Sequence, residues 1–165
     1  MKKKQVIINE DKCNYNSAIV LGLNDALVEL SGALVGLSFA LMETQVIATV
    51  GLITGFAAAM SMAASEYLSA KEDNQKQPGK AATHTGLAYL IAVIALVAPY
   101  FIFKNIIHAK AFMFELVILI IACYTGYVSK RQNISFKSKF FSMLTITLGV
   151  SVISFLFGSL VKNFI

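Results

Sequence analysis

Two pairs of residues combine helical spacing with chemistry that is unusual in an apolar setting. Asp25 and Glu29 lie four residues apart in a long hydrophobic stretch, and Met62 and Glu66 repeat the spacing in the next stretch. Residues four apart lie on one face of a helix. Carboxylates beside a thioether form a mixed hard and soft ligand set, which suits Fe²⁺, Mn²⁺ or Co²⁺ better than Mg²⁺ or Ca²⁺. The four residues are therefore candidate metal ligands.

Each of these residues also has an ordinary structural interpretation. A proton or a hydrogen bond could neutralise one acid of the first pair, although two acids on one face double a membrane cost of about 2.5–3.5 kcal/mol each. A methionine in a membrane helix usually serves packing. Glu66 lies close enough to a helix end to reach lipid headgroups. The sequence contains no cluster of Cys or His, which weakens the case for Zn²⁺ or Cu⁺.

The elements that must position these residues are membrane-spanning helices. Of the 165 residues, 57% are hydrophobic and 14% are charged, whereas soluble domains average about 45–50% apolar and 25% charged residues. Five stretches reach or nearly reach the roughly 20 apolar residues that a span requires. They cover about 18–41, 46–68, 87–107, 111–128 and 140–161, with a polar loop at 69–86. We therefore expect an all-α integral membrane protein with five transmembrane helices per protomer. An N-terminal segment at 1–17 precedes one membrane domain at 18–165.

The placement of basic residues predicts the orientation, because cytoplasmic loops of membrane proteins are enriched in Lys and Arg. With the N-terminus inside, eleven of the 14 basic residues fall on the cytoplasmic side. These are Lys2, Lys3, Lys4, Lys12, Lys71, Lys76, Lys80, Lys130, Arg131, Lys137 and Lys139, and the outer three are Lys104, Lys110 and Lys162. We expect a cytoplasmic N-terminus. The net charge of +5 reflects this bias, and no nucleic-acid partner is expected.

Small residues predict close helix packing near the candidate ligands. Gly32 and Gly36 form a GxxxG pattern in the first helix, and Gly51 and Gly55 form another in the second. Such spacing allows membrane helices to approach closely. Because only the four residues 42–45 connect these helices, we expect an antiparallel hairpin that packs through its glycines.

A dimer seam along the first helix is the alternative use of this small-residue face. Two-fold symmetry is the commonest geometry of protein oligomers. A seam of this kind would set two copies of Asp25 and Glu29 opposite each other. A homodimer with the acids near its interface is therefore the alternative to packing within the hairpin.

Cysteine, tyrosine and the remaining acid receive ordinary interpretations. Cys13 and Cys123 are far apart in sequence and are expected to be free thiols. Glu115 is expected near the outer end of the fourth helix, reaching headgroups or pairing with Lys110. Trp is absent, so any aromatic belt at the membrane interface must come from tyrosines. The candidates are Tyr89, Tyr100, Tyr124 and Tyr127.

Two segments resemble the vacuolar iron transporter family. The first is NDALVE at Asn24–Glu29 followed by Gly32–Leu34, and the second is SMAASEYLSAKED at Ser61–Asp73. They stand at the separation that the family shows. Softer similarities at Gly86–Leu90, at Pro99 with Tyr100 and at Ser135–Leu144 look like the small prokaryotic branch. The resemblance covers nearly the whole chain, and the first two motifs are its specific part.

The resemblance implies a five-helix protomer and a homodimer with the ion path between subunits. It implies transport of Fe²⁺, with Mn²⁺ or Co²⁺ also accepted, in exchange for protons. We expect the metal to move out of the cytoplasm. Asp25 matches the path acid of the family, and Met62 matches its path methionine. Glu29 is expected as a further ligand and proton acceptor, since a carboxylate must lose its proton to hold metal. Glu66 is expected to receive ions at the inner mouth.

The remaining expectations concern environment and partners. The lipid bilayer, the divalent metal ion, protons and a second copy are the expected partners, and no cofactor is expected besides the transported ion. No nucleophile–base arrangement or phosphate-cradling glycine loop is visible, so enzymatic activity is not expected. The short chain favours a multi-pass protein of the prokaryotic plasma membrane.

The sequence also departs from the family at specific places. Ala18 and Thr54 stand where characterised eukaryotic members carry acids, and the short loop at 69–86 replaces their cytoplasmic metal-binding domain. These departures leave two alternatives open. One is a non-transporting accessory or regulatory membrane protein, and the other is a transporter or channel for another cation.

Overall fold

The computed structural model describes residues 15–75 and 77–164, so most of the predicted segment 1–17, including Cys13, lies outside the described residues. Within these ranges the structure is all-α, as predicted, and contains no strand. Its elements are α1 (Tyr15–Asp25), a π-helical segment (Ala26–Leu30), α2 (Ser31–Ala40), α3 (Thr44–Glu72), α4 (Pro78–Ile102), α5 (Ile106–Gln132) and α6 (Phe136–Lys162).

In the described part of the chain, five helical stretches are long and apolar enough to cross a membrane. α1, the π-helical segment and α2 continue one another and form the first span, Ser17–Ala40. α3, α4, α5 and α6 supply the other four spans. The prediction of a multi-span membrane protein is confirmed, because five helices have the length and the apolar composition that a transmembrane span requires.

The predicted loop at 69–86 is much shorter in the structure. α3 continues to Glu72 and α4 begins at Pro78. Pro78 and Gly79, a pair that is common in turns, lie in the first turn of α4, where proline is favoured because its missing N–H has no helical partner. Asn74 adopts a left-handed conformation with φ 54°, which asparagine tolerates. The loop prediction was wrong in extent because proline starts this helix.

The connection between α4 and α5 also differs from the predicted one. α4 ends at Ile102 and α5 begins at Ile106, so the fourth span is longer than the predicted 111–128. The side chain of Asn105 accepts a hydrogen bond of 2.8 Å from a backbone N–H of the first turn of α5. This N-cap satisfies a donor that would otherwise be free. It explains why the helix begins before the apolar stretch.

α4 and the first span form the centre of the bundle. Half of the most apolar part of each is buried, against 17–28% for the other three spans. α3 packs mainly along α4, whereas α2 packs mainly along α6. The largest buried side chains of the core are Leu27, Leu34, Ile47, Tyr89, Leu96, Tyr100, Met113 and Ile121. α4 therefore supports the first span on one side and α3 on the other.

The glycine pairs mostly pack against helices other than the predicted partners. Gly32 and Gly36 face α6, and a Cβ added to Gly36 would lie 2.9 Å from the backbone oxygen of Ser154. Gly55 faces α4, where an added Cβ would lie 2.6 Å from Val93. The predicted packing within the first hairpin is wrong at these positions because the glycine faces of the two helices turn toward different neighbours.

Hairpin packing persists at one of the four glycines. A Cβ added to Gly51 would lie 2.7 Å from Leu34 of α2. The two glycines of the first span, Gly32 and Gly36, pack against α6 of the same chain. A dimer seam built on that pair would have to displace α6.

Three of the four tyrosines predicted for an aromatic belt are buried. Tyr89, Tyr100 and Tyr124 are at most 6% exposed, and only Tyr127 of the four is exposed. The Tyr100 hydroxyl lies 2.9 Å from that of Ser38. A tyrosine can enter a membrane bundle when its ring packs and its hydroxyl finds a partner. The belt prediction was wrong for these three residues.

Candidate metal site in the first span

A π-helical turn interrupts the first span between the two candidate acids. Asp25 ends α1, and residues 26–30 form a wider turn in which backbone hydrogen bonds reach five residues back. The hydroxyl of Ser31 donates to the carbonyl oxygen of Leu27 and ties the turn to α2. Single π turns inside α-helices are frequent at functional sites. This turn has no distinctive signature in the sequence, so it was not predicted.

Asp25 and Glu29 come together at this turn. The side chains of Asp25 and Glu29 lie close enough to interact electrostatically, with Asp25 half-buried and Glu29 exposed in the single chain. Two neighbouring carboxylates repel each other, and a proton on one of them removes the repulsion. The arrangement can therefore be stabilised either by a proton or by a cation.

Tyr89 of α4 is a third polar group in direct contact with the acids. Its hydroxyl donates a 2.9 Å hydrogen bond to Oε2 of Glu29, and its side chain has no exposed surface. This role was not predicted, because Tyr89 was assigned to the membrane interface. A signal was available, because a tyrosine hydroxyl in an apolar span needs a partner and a carboxylate is the strongest acceptor.

Contact between α4 and α3 gives the depth of Met62 relative to the acid pair. A Cβ added to Gly86 of α4 would lie 2.9 Å from Cβ of Ala63, the neighbour of Met62. Tyr89 follows Gly86 by three residues, about 4.5 Å along the helix axis. Met62 therefore lies within about one helical turn of the depth of the acid pair. Its side chain is half-buried and packs against the central core.

Glu66 lies one turn further along α3 and is half-buried. Among the described residues, no three Asp, Glu, His or Cys side chains lie close enough together to hold a metal ion. Glu66 therefore does not join Asp25 and Glu29 in one cluster. A single chain brings together two of the four candidate ligands, with Tyr89 beside them.

Residues predicted to have ordinary roles lie outside this site. The ammonium group of Lys110 lies 4.2 Å from the centre of the Phe39 ring, a favourable cation–π distance. Glu115 is exposed on α5 and lies about 14 Å from the start of the helix, deeper than expected. Cys123 is an exposed free thiol, as predicted.

The part of the chain that carries the acid pair also carries a family match. Residues 16–77 match the model of the VIT family. This match confirms the predicted resemblance to the vacuolar iron transporter family. It spans α1 to α3 and the turn after α3, and it includes all four candidate ligands. Comparisons with curated proteins and with solved structures found no match.

The VIT family is a family of membrane transporters for metal ions. The match, together with five membrane-spanning helices, indicates a membrane metal-ion transporter. The five spans imply a lipid bilayer as its environment, and metal ions are the substrates of the matched family. Because the VIT family is a transporter family, the match agrees with the expectation that the protein is not an enzyme.

Proposed function

We propose that this protein exchanges Fe²⁺ for protons and moves the metal out of the cytoplasm, with Mn²⁺ and Co²⁺ as further substrates. The observation that carries the proposal is the proximity of Asp25 and Glu29 at a π turn of the first span, where Tyr89 donates a hydrogen bond to Glu29. The VIT-family match over the same residues supports metal as the transported ion.

The acid pair suits exchange because protons and metal ions compete for the same oxygens. A carboxylate must be deprotonated to bind a metal. With one proton between them, Asp25 and Glu29 avoid the repulsion of two carboxylates. A divalent cation removes the repulsion in the same way once the proton leaves. Binding of metal and binding of the proton are therefore alternatives, which is the requirement for antiport.

A second copy of the chain would complete the coordination of the metal. A single chain brings together only two acids, fewer than a transition metal requires. Glu29 is exposed in the single chain, and a charged side chain is not tolerated against lipid. Its face is therefore expected to meet protein or water. A two-fold homodimer that places two acid pairs together would satisfy both requirements.

The other two candidates receive roles from their chemistry and position on α3. Met62 would be a soft ligand that favours Fe²⁺ and Co²⁺, and Glu66 would receive ions at the cytoplasmic mouth. This assignment uses the orientation predicted from the basic residues, with a cytoplasmic N-terminus in a prokaryotic plasma membrane.

Two observations favour the accessory-protein alternative. Ala18, at a position where family members carry an acid, is 3% exposed, and its carbonyl oxygen accepts a 3.1 Å hydrogen bond from Thr85. Thr54, at the other such position, bonds to its own helix through the carbonyl oxygen of Val50. Neither residue supplies a ligand. The retained acid pair argues for transport instead.

Uptake of radioactive Fe²⁺ by proteoliposomes, with other divalent ions as competitors, tests the proposed substrate class. We expect Mn²⁺ and Co²⁺ to inhibit uptake and Ca²⁺ and Mg²⁺ to inhibit weakly, because the ligand set is mixed in hardness. Strong inhibition by Ca²⁺ or Mg²⁺ would favour a transporter of another cation. Absence of uptake in intact liposomes would favour the accessory protein.

Replacement of Met62 by leucine in this assay tests the soft ligand. Met62→Leu retains volume and packing but removes the sulfur, so Fe²⁺ and Co²⁺ should lose their advantage over Mn²⁺. Met60→Leu is a matched control, because Met60 lies on the same helix with an exposed side chain. Equal metal preference in the Met62 variant and the native protein would exclude a ligand role for the sulfur.

A further inference from the structure

Tyr89 holds one particular oxygen of the acid pair. Its hydroxyl donates to Oε2 of Glu29 at 2.9 Å, and the bond joins α4 to the π turn of the first span. The Tyr89 ring has no exposed surface and packs within the central core. A ring fixed in this way keeps its hydroxyl in one place, so the oxygen that it engages is defined by the fold.

We propose that Tyr89 is a specificity-determining residue that restricts Glu29 to binding metal through one oxygen and thereby disfavours Ca²⁺. The proposal rests on the proposed transport function. The hydrogen bond takes one lone pair of Oε2, so Oε1 would be the oxygen that binds a metal. Glu29 would act as a monodentate ligand beside Asp25.

The selectivity follows from the coordination chemistry of the competing ions. Ca²⁺ takes 6–8 oxygen ligands, often with a carboxylate that binds through both oxygens. Fe²⁺ and Mn²⁺ need fewer ligands, and the borderline Fe²⁺ also accepts softer donors such as the sulfur of Met62. Withdrawal of one carboxylate oxygen therefore costs Ca²⁺ more than it costs a transition metal. The tyrosine thus discriminates without touching the ion.

Tyr100 provides a matched control on the same helix. It is 1% exposed, and its hydroxyl lies 2.9 Å from the hydroxyl of Ser38. Replacement of either tyrosine by phenylalanine removes one buried hydroxyl and one hydrogen bond of the same length. Only Tyr89 contacts an acid of the site. A difference between the two variants therefore reports on Glu29 and not on loss of a buried hydroxyl from α4.

The experiment measures Mn²⁺ and Ca²⁺ flux separately in proteoliposomes of the native protein, Tyr89→Phe and Tyr100→Phe. In Tyr89→Phe we expect KM for Ca²⁺ to fall, KM for Mn²⁺ to change less and maximal rates to change little. The preference for Mn²⁺ over Ca²⁺, measured as the ratio of their KM values, should fall by about tenfold, which is the scale of one hydrogen bond to a charged group. Tyr100→Phe should keep the native preference.

An unchanged preference in Tyr89→Phe would overturn the proposal, and so would an equal change in both variants. If the native protein carries no metal, the transport proposal fails, and binding then decides the role of Tyr89. The signal of Mn²⁺ in electron paramagnetic resonance, titrated with Ca²⁺ on the purified protein, should show easier displacement by Ca²⁺ in Tyr89→Phe only. Equal displacement, or no binding of Mn²⁺ to the native protein, would overturn the specificity role.

Discussion

Replacement of Asp25 by asparagine is expected to abolish metal flux while the fold is retained. Asparagine keeps the size of the side chain beside Glu29 at the π turn and can donate a hydrogen bond to a carboxylate. It cannot supply a charged ligand or exchange a proton. Changes outside the ligand shell already cost about 10–100-fold in metal affinity or activity, so loss of this ligand should exceed about 100-fold. Initial Fe²⁺ uptake in proteoliposomes measures the effect.

Glu115→Gln is the matched control for this variant. Glu115 is also an acid within a membrane span, but it is exposed on α5 and lies outside the site. Its replacement should leave uptake within about twofold of the native rate, since surface changes away from a site have small effects. Equal loss of uptake in both variants would mean that any intramembrane acid matters. Native uptake in Asp25→Asn would remove Asp25 from the ion path.

The second large effect concerns stability and arises where the first span meets α6. Gly158 of α6 lies directly against the backbone of Gly36, and an added Cβ would come within 3.0 Å of its Cα and closer still to its carbonyl oxygen. Backbone atoms cannot rotate away as a side chain can. Gly158→Ala should therefore separate the helices and lower the free energy of unfolding by about 1–3 kcal/mol.

Gly149→Ala controls for the general effect of alanine in a helix. Gly149 also lies on α6, and an added Cβ would meet no atom within 4 Å. Alanine favours a helix over glycine by about 1 kcal/mol, so this variant should be neutral or more stable. Denaturant unfolding in mild detergent compares the two. Similar stability in both variants would contradict the backbone contact between Gly158 and Gly36.

The sequence was most informative about features that depend on composition and short spacing. Five spans followed from the length of the apolar stretches, because the bilayer fixes the length that a helix needs. Contact between Asp25 and Glu29 followed from their spacing of four residues, and it persists although the turn between them is π-helical. Pro78 was misinterpreted because Pro-Gly fits both a turn and the first turn of a helix.

Features that depend on which helices meet could not be derived from the sequence. A GxxxG pattern predicts a close approach but does not name the partner, so the contact of Gly36 with α6 was not foreseen. The same limit applies to Tyr89: its hydroxyl needs a polar partner, but the sequence does not show that this partner is Glu29, 60 residues away. Met62 and Glu66 were selected for their chemistry, and their roles as ligands stay predictions.

The central claim is that the acid pair exchanges a metal ion for protons. The most direct test is Fe²⁺ flux into proteoliposomes of the native protein under an imposed pH gradient, with an internal pH dye reporting proton movement. We expect flux that follows the size and direction of the gradient, with protons moving opposite to the metal, since each occupies the oxygens that the other leaves. Fe²⁺ flux that does not change with the pH gradient and is not accompanied by proton movement would contradict the exchange mechanism.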